Sequence, residues 1–243
     1  MTKFTVQIPP GIQYISDWKD YELPKGRCIV DKGVTGCGYT EFCLTNSENV
    51  VLCSPRRLLL ENKLEQHKND RNIMYLNNDA KKEEKDVDVK NRLEDRIRKH
   101  IHLCQLGDPF SENCSDFPVK IMVTYDSLHY VVDTLKQMRI LNDFHFVVDE
   151  CQLVFLDAFY KASTEFDFIE ALEGCKDIVY LSATPMLDKY LNRVDEFKNL
   201  DYYCLDWSQT GQVERLNLIR KRVRASITDS CFRIIELYKK GKF

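Results

Sequence analysis

The sequence predicts an α/β protein, a mostly parallel β-sheet with helices on both faces. Two patterns carry that expectation. Apolar runs of strand length alternate with segments of helical period. Three of the runs also end in short segments able to do chemistry: Gly33-Val-Thr-Gly-Cys-Gly-Tyr-Thr40, Val147-Val-Asp-Glu-Cys-Gln152 and Leu181-Ser-Ala-Thr-Pro185. Strands covered on both faces read as continuous apolar runs, and open α/β sheets place ligands beyond the strands' carboxyl ends.

Residues 1–26 read as an irregular lead-in, with a strand-like Phe4–Ile8 before the break Pro9-Pro10-Gly11. Arg27–Val30 is a short strand bounded by glycine turns, and a helix is expected near Thr40–Thr45. Asn49–Cys53 reads as a buried strand that stops at Ser54-Pro55. Arg56–His67 is helical by pattern, with leucines at 58, 59, 60 and 64, and Ile73–Leu76 is a strand candidate. Residues 79–100 are densely charged, yet Leu93, Ile97, Ile101 and Cys104 give Arg92–Gln105 an amphipathic face. Residues 106–118 read as a loop.

Lys120–Thr124 is a strand, Asp126–Ile140 a helix, Phe144–Val148 a strand, 152–173 helical, and Lys176–Leu181 the last clear strand. After Pro185 the pattern weakens to a short helix near 187–196, a strand-like Tyr202–Leu205 and a polar turn at Ser208–Gly211. A basic stretch, Arg215–Arg224, and a helix over Ser226–Lys240 complete the chain. The expected organisation is a lead-in (1–26), a domain over 27–190, and a connector or start of a second domain over 191–243.

Of 243 residues, 44% are apolar and 30% charged, which excludes wholesale disorder. A net charge of −3 offers no global basic field, so a polyanion would need a local patch. No run of 18 apolar residues exists and the N-terminus lacks a signal peptide's apolar centre, so a cytoplasmic protein without membrane contact is expected. Ten cysteines with no Cys-x-x-Cys pair point to reduced, buried thiols rather than bridges, zinc or an iron–sulfur cluster.

A strand, a glycine turn and a helix start make a cradle for anions. Gly33-x-x-x-x-Gly38-x-Thr40 has the length of a phosphate-binding loop, with Gly36 and Cys37 inside it and Thr40 where a hydroxyl would bind magnesium. Tyr39 stands where such a loop has lysine, and Lys32, just before the first glycine, is the candidate substitute cation. The plain alternative is a strand–helix turn that needs small residues. Asp149 and Glu150 end an apolar strand, the place for a magnesium ligand (Asp149) and a residue that polarises water (Glu150). A solvated strand end is the alternative there, and for Ser182 and Thr184 it is a helix cap.

Taken in order, these segments resemble motifs I, II and III of the first RecA-like domain of a superfamily-two helicase, of the DEAD/DEAH-like or restriction-subunit kind. Asp149-Glu-Cys-Gln152 resembles a DExQ form of motif II, which adds Gln152 to the catalytic set. Cys53-Ser-Pro-Arg-Arg57 resembles motif Ia, and Val123-Thr-Tyr-Asp-Ser-Leu128 resembles motif Ib. The glycine loop, Lys32-Gly-Val-Thr-Gly-Cys-Gly38, is also similar to helicase-like proteins of bacterial mobile elements and phages. The resemblance implies ATP and Mg2+ as cofactors, held by Lys32, Gly33, Gly36, Cys37, Gly38, Tyr39, Thr40, Ser182 and Thr184. Thr40 and Asp149 would hold the metal.

The same resemblance implies that Ser54, Arg56 and Thr124 contact nucleic-acid phosphates, with DNA ahead of RNA as partner. Its implied function is an ATP-dependent helicase or translocase domain that works with a second RecA-like domain. Residues 190–243 are too few for that second domain, so a fragment or truncated product is expected. The second domain would supply an arginine finger, and without it hydrolysis by this chain alone should be very slow. A catalytically inactive module that binds nucleic acid or a partner protein as a scaffold is the alternative, and Tyr39 favours it. Gln7 and Gln13 are both available to read an adenine.

Overall fold

Eight short runs dominated by Val, Ile, Leu and aromatic residues pair into one sheet. They are β1 (Lys3–Gln7), β2 (Arg27–Asp31), β3 (Val50–Cys53), β4 (Ile73–Leu76), β5 (Lys120–Val123), β6 (His145–Val148), β7 (Asp177–Ser182) and β8 (Asp201–Asp206). The order is β1-β8-β2-β7-β6-β3-β5-β4, and every pairing is parallel. The computed structural model describes residues 2–78, 86–106, 116–157, 168–184 and 197–211, all within one compact unit, Met1–Val213. The expected helices near 187–196 and over Ser226–Lys240, the basic stretch Arg215–Arg224 and most of the 106–118 loop lie outside the described residues.

Successive side chains of a strand point to opposite faces, and two apolar layers follow from that alternation. On one face Val30, Leu52, Val147 and Val179 pack against the lead-in, α1 (Tyr39–Thr45) and α2 (Arg57–Gln66). On the other, Ile29, Val51, Ile121, Phe146 and Ile178 pack against α3 (Asp86–Gln105), α4 (Leu128–Met138) and Phe168 of a helical stretch over 168–172. A fifth helix, α5 (Gln152–Asp157), follows β6. The chain therefore leaves β2 toward one face and β6 toward the other, with β7 between them. That divergence opens a crevice at the carboxyl edge of the sheet.

Several boundaries differ from the sequence pattern, each for a local reason. Helix α3 starts at Asp86 rather than Arg92 because Val89 extends the buried stripe of Leu93, Ile97 and Ile101 by one turn. The helix expected over Asp126–Ile140 opens as a 3-10 turn, Tyr125–Ser127, in which the Ser127 amide donates to the Thr124 carbonyl at 3.1 Å. Strands β1 and β8, from segments outside 27–190, join the same sheet, with β8 paired to both β1 and β2.

The eight described cysteines are free, and all but Cys204 are buried. Burial pushes the thiols of Cys43, Cys53 and Cys151 up, and that of Cys28 up to about 12. Stability is expected to fall as pH rises past 9.0, the thiols' ordinary value. The unfolded chain releases these protons there and the folded chain keeps them, so the unfolded state binds fewer protons. Each retained proton costs about 1.4 kcal/mol one pH unit above that value. Lys120 works the other way: burial pushes its ammonium down to about 8, a single group against several. Urea midpoints at pH 8 and pH 10 check this; an unchanged midpoint would contradict the sum.

No helix among the described residues is long and apolar enough to cross a membrane.

Candidate functional site

The glycine loop leaves β2, an interior strand between β8 and β7, and its three glycines adopt positive φ, +69° at Gly33, +70° at Gly36 and +76° at Gly38. Two of them are required by close approach. A Cβ on Gly33 would lie 2.7 Å from the Leu205 carbonyl, and one on Gly38 2.7 Å from the Cβ of Tyr14. At Gly36 a Cβ would meet nothing within 4 Å, so the crown of the loop faces open space. The loop is pinned from below. Asp31 accepts from the Gly33 amide at 2.9 Å, and the Trp207 indole donates to the Lys32 carbonyl at 2.8 Å.

Strand alternation then decides where Lys32 points. Cys28 and Val30 of β2 belong to the α1 face, so Lys32 continues on that side; Val147 of β6 belongs to it too, and Asp149 continues there. With β7 between the two strands, their backbones lie two spacings apart, about 9–10 Å. The lysine stem closes the gap, bringing Nζ to 2.8 Å from Asp149 Oδ1. Both residues are buried, 7% and 3% exposed. Burial alone would lower the Lys32 pKa, but the charge and hydrogen bond of Asp149, helped by Glu150, outweigh it, and the ammonium is held above its ordinary value.

Tyr39 takes the opposite course. Its ring is 1% exposed and turns into the core, where its hydroxyl meets that of Tyr21 at 3.0 Å and its edge meets Tyr21 and Phe42. It anchors the lead-in to α1 through Tyr21, and the residue still contributes to the lining of the space over the loop. That space is a hollow of about 360 Å³ lined by Lys32, Gly36, Cys37, Gly38, Tyr39 and Thr40, together with Tyr14, Ser16, Glu41 and Lys63. Burial also pushes the Cys37 thiol up, against the pull of the Tyr39 backbone and of Lys32, so no thiolate charge faces the hollow.

The acid turn is built on strain. Glu150 sits at φ +57°, a left-handed conformation that costs a non-glycine residue about 1–2 kcal/mol. The Cys151 amide bonds the Leu181 carbonyl at 2.9 Å, and Gln152 Nε2 donates to the Glu150 carboxylate. Ser182 is buried, its hydroxyl bridging to the carbonyl and amide of Thr184. It takes no part in the hollow, but its carbonyl accepts from the Lys32 amide at 2.7 Å.

Ser54 and Thr124 lie at the ends of β3 and β5. Ser54 Oγ accepts from the Arg56 amide at 3.3 Å, and Arg56 itself is exposed. Thus Lys32, the loop and Thr40 share the hollow, Asp149 joins them through Lys32, and Glu150 and Gln152 pair beside them. Exposed Arg56 and Thr124, 9% exposed, mark a separate rim across the β3 and β5 ends, and Ser54 beside them is fully buried. Gln7 bonds the Asp206 carbonyl at the far edge of the sheet, whereas Gln13 bonds Tyr14 beside the hollow. Sequence patterns gave no sign of Tyr14, Lys63 or Trp207, which come from segments without a motif.

The donor set fits a phosphate chain and one magnesium ion. Thr40 bounds the hollow, and Asp149 lies beside it, already facing a cation. No cluster of three acidic, histidine or cysteine ligands exists among the described residues. Magnesium needs none, since it keeps water and phosphate oxygens around one or two protein ligands.

No protein-family model matches the chain, and no curated protein matches it. Solved structures do. One is Mss116p (NTE and C-tail double deletion) bound to ssRNA and AMP-PNP, 15% identical with a TM-score of 0.44, covering 89% of this chain and 44% of that one. A DEAD box protein from the hyperthermophile Methanococcus jannaschii is 16% identical with a TM-score of 0.39, covering 73% and 45%. The Pyrococcus furiosus Hef helicase domain is 15% identical with a TM-score of 0.36, covering 74% and 35%. This chain spans less than half the length of each. At such scores these likenesses add nothing to the strand order and the paired side chains described above.

Proposed function

We propose that this chain is the nucleotide-binding domain of a helicase- or translocase-type ATPase in which Lys32 does the work of the missing loop lysine. The observation that carries the reading is the buried Lys32–Asp149 contact of 2.8 Å beside an open glycine loop. A cation held there, on the face of the loop, is placed to swing from the carboxylate to a phosphate. ATP is the expected ligand, with its phosphates over Gly36–Thr40. Thr40 and Asp149 would hold magnesium, which screens phosphate charge. Glu150, fixed by Gln152, is the group that orients and deprotonates water. Arg56 and Thr124 would grip a nucleic-acid backbone, DNA ahead of RNA, with buried Ser54 holding the Arg56 amide rather than reaching a phosphate.

A second RecA-like domain would close the site and bring the cation that completes it, so this chain alone is expected to turn over very slowly. The scaffold reading keeps one specific support: Lys32 is already neutralised by Asp149, so a ligand must break a buried pair to use it. Nucleotide binding with and without magnesium, in the wild type and in Glu150→Gln, with single-stranded DNA added, separates the two. The motor reading expects magnesium-dependent binding that Glu150→Gln retains and DNA alters. No binding under any condition leaves the scaffold.

A further inference from the structure

The carboxyl ends of three neighbouring strands are closed into a ring of hydrogen bonds by one side chain. The Ser54 amide, after β3, donates to the Val123 carbonyl of β5 at 3.0 Å. The Asp149 amide, after β6, donates to the Cys53 carbonyl of β3 at 2.9 Å. Tyr125, two residues beyond β5, reaches back across β3, and its hydroxyl donates to the Asp149 carbonyl at 2.6 Å. The Tyr125 ring lies on the α4 face, 4.3 Å from Phe168 between centroids, so the hydroxyl is aimed by packing.

That carbonyl belongs to the peptide that enters left-handed Glu150, while the peptide leaving it is tied through the Cys151 amide to Leu181. The strained residue is thus clamped on both sides, and one clamp comes from the 3-10 turn that carries Thr124. In the same turn Ser127 Oγ is buried without a hydrogen-bond partner, an unused donor and acceptor next to the rim.

We propose that Tyr125 is a positioning residue linking the Arg56–Thr124 rim to the acid turn. A phosphodiester backbone bound at the rim then changes how the Asp149–Glu150 peptide is held, and with it the affinity for nucleotide. The proposal rests on the nucleotide and nucleic-acid reading above. Motion of the turn at 124–127 is passed through the Tyr125 hydroxyl to the Asp149 carbonyl, because the β3 end between them is bonded to both. By linkage the effect is reciprocal: nucleotide alters oligonucleotide affinity by the same factor.

The test measures Mg-nucleotide affinity of the full chain with and without a single-stranded oligonucleotide, for wild type and Tyr125→Phe. Phenylalanine keeps the ring against Phe168 and removes only the hydroxyl. Wild type should change its nucleotide affinity about fivefold or more on adding oligonucleotide. The variant should bind nucleotide alone within about twofold of wild type and lose most of the oligonucleotide effect. A merely structural hydroxyl would lower the melting temperature and leave that effect intact, which overturns the proposal.

A wild-type response that the variant keeps removes the inference alone. A wild-type chain that binds nucleotide but ignores the oligonucleotide removes it together with the nucleic-acid reading. Should Tyr125→Phe fail to fold, amide exchange at Glu150 and Cys151 in wild type decides instead. Protection there must change when oligonucleotide is added, and unchanged protection overturns the proposal.

Discussion

Lys32→Ala is expected to destabilise the fold by about 3–5 kcal/mol and to weaken nucleotide binding at least tenfold. The first effect follows from burial. Removing the ammonium leaves Asp149, 3% exposed, as a charge without its 2.8 Å partner, and a broken buried pair costs far more than an exposed one. The second follows from the proposed role, since among the described residues only Lys63 also brings an ammonium to the hollow, and it is held by Glu41 at 2.7 Å. A companion change separates the effects. Lys32→Ala combined with Asp149→Asn removes both charges, so denaturant unfolding should recover a large part of the lost stability. Nucleotide binding should stay weaker than that of Asp149→Asn alone.

Gly33→Ala should be nearly as damaging, and for reasons of backbone alone. The φ of +69° disfavours any side chain, by about 1–2 kcal/mol. The new Cβ would also lie 2.7 Å from the Leu205 carbonyl and 3.3 Å from the Trp207 ring. Neither gives easily: Leu205 is in β8, and Trp207 holds the Lys32 carbonyl. A total near 3 kcal/mol is expected. Gly36→Ala is the control. Its φ of +70° carries the same backbone cost, but open space surrounds it, so stability should fall by only about 1–2 kcal/mol. Urea midpoints for the two variants rank them; equal losses would show that the Leu205 approach is unimportant.

The parallel sheet was legible because buried strands betray themselves as apolar runs, and Val50–Cys53 and His145–Val148 leave little room for another reading. The ends of elements were less so. Nothing local in Asp126–Ile140 says that the first turn will be 3-10, because that is set by Thr124 at the end of β5. Joining β1 and β8 to the sheet depends on pairing between segments nearly 200 residues apart, which periodicity cannot see.

At the site, Lys32 could be nominated from its place beside the glycines. Its reach to Asp149 depends on β7 lying between β2 and β6, a matter of strand order. Tyr39 is the sharper lesson. Its position in the motif marks it as part of the loop, and it lines the hollow, but nothing in the sequence says that its ring packs edge-on against Tyr21 and Phe42.

One comparison tests the central claim most directly: equilibrium affinity for Mg-ATP in wild type, in Tyr39→Phe, in Asp149→Asn alone and in the charge-balanced pair Lys32→Ala with Asp149→Asn. If Lys32 is the phosphate-holding cation, Tyr39→Phe binds within about twofold of wild type and the lysine-free pair binds at least tenfold more weakly than Asp149→Asn alone, about 1.4 kcal/mol. Binding lost with the tyrosine hydroxyl and kept without Lys32 would contradict it.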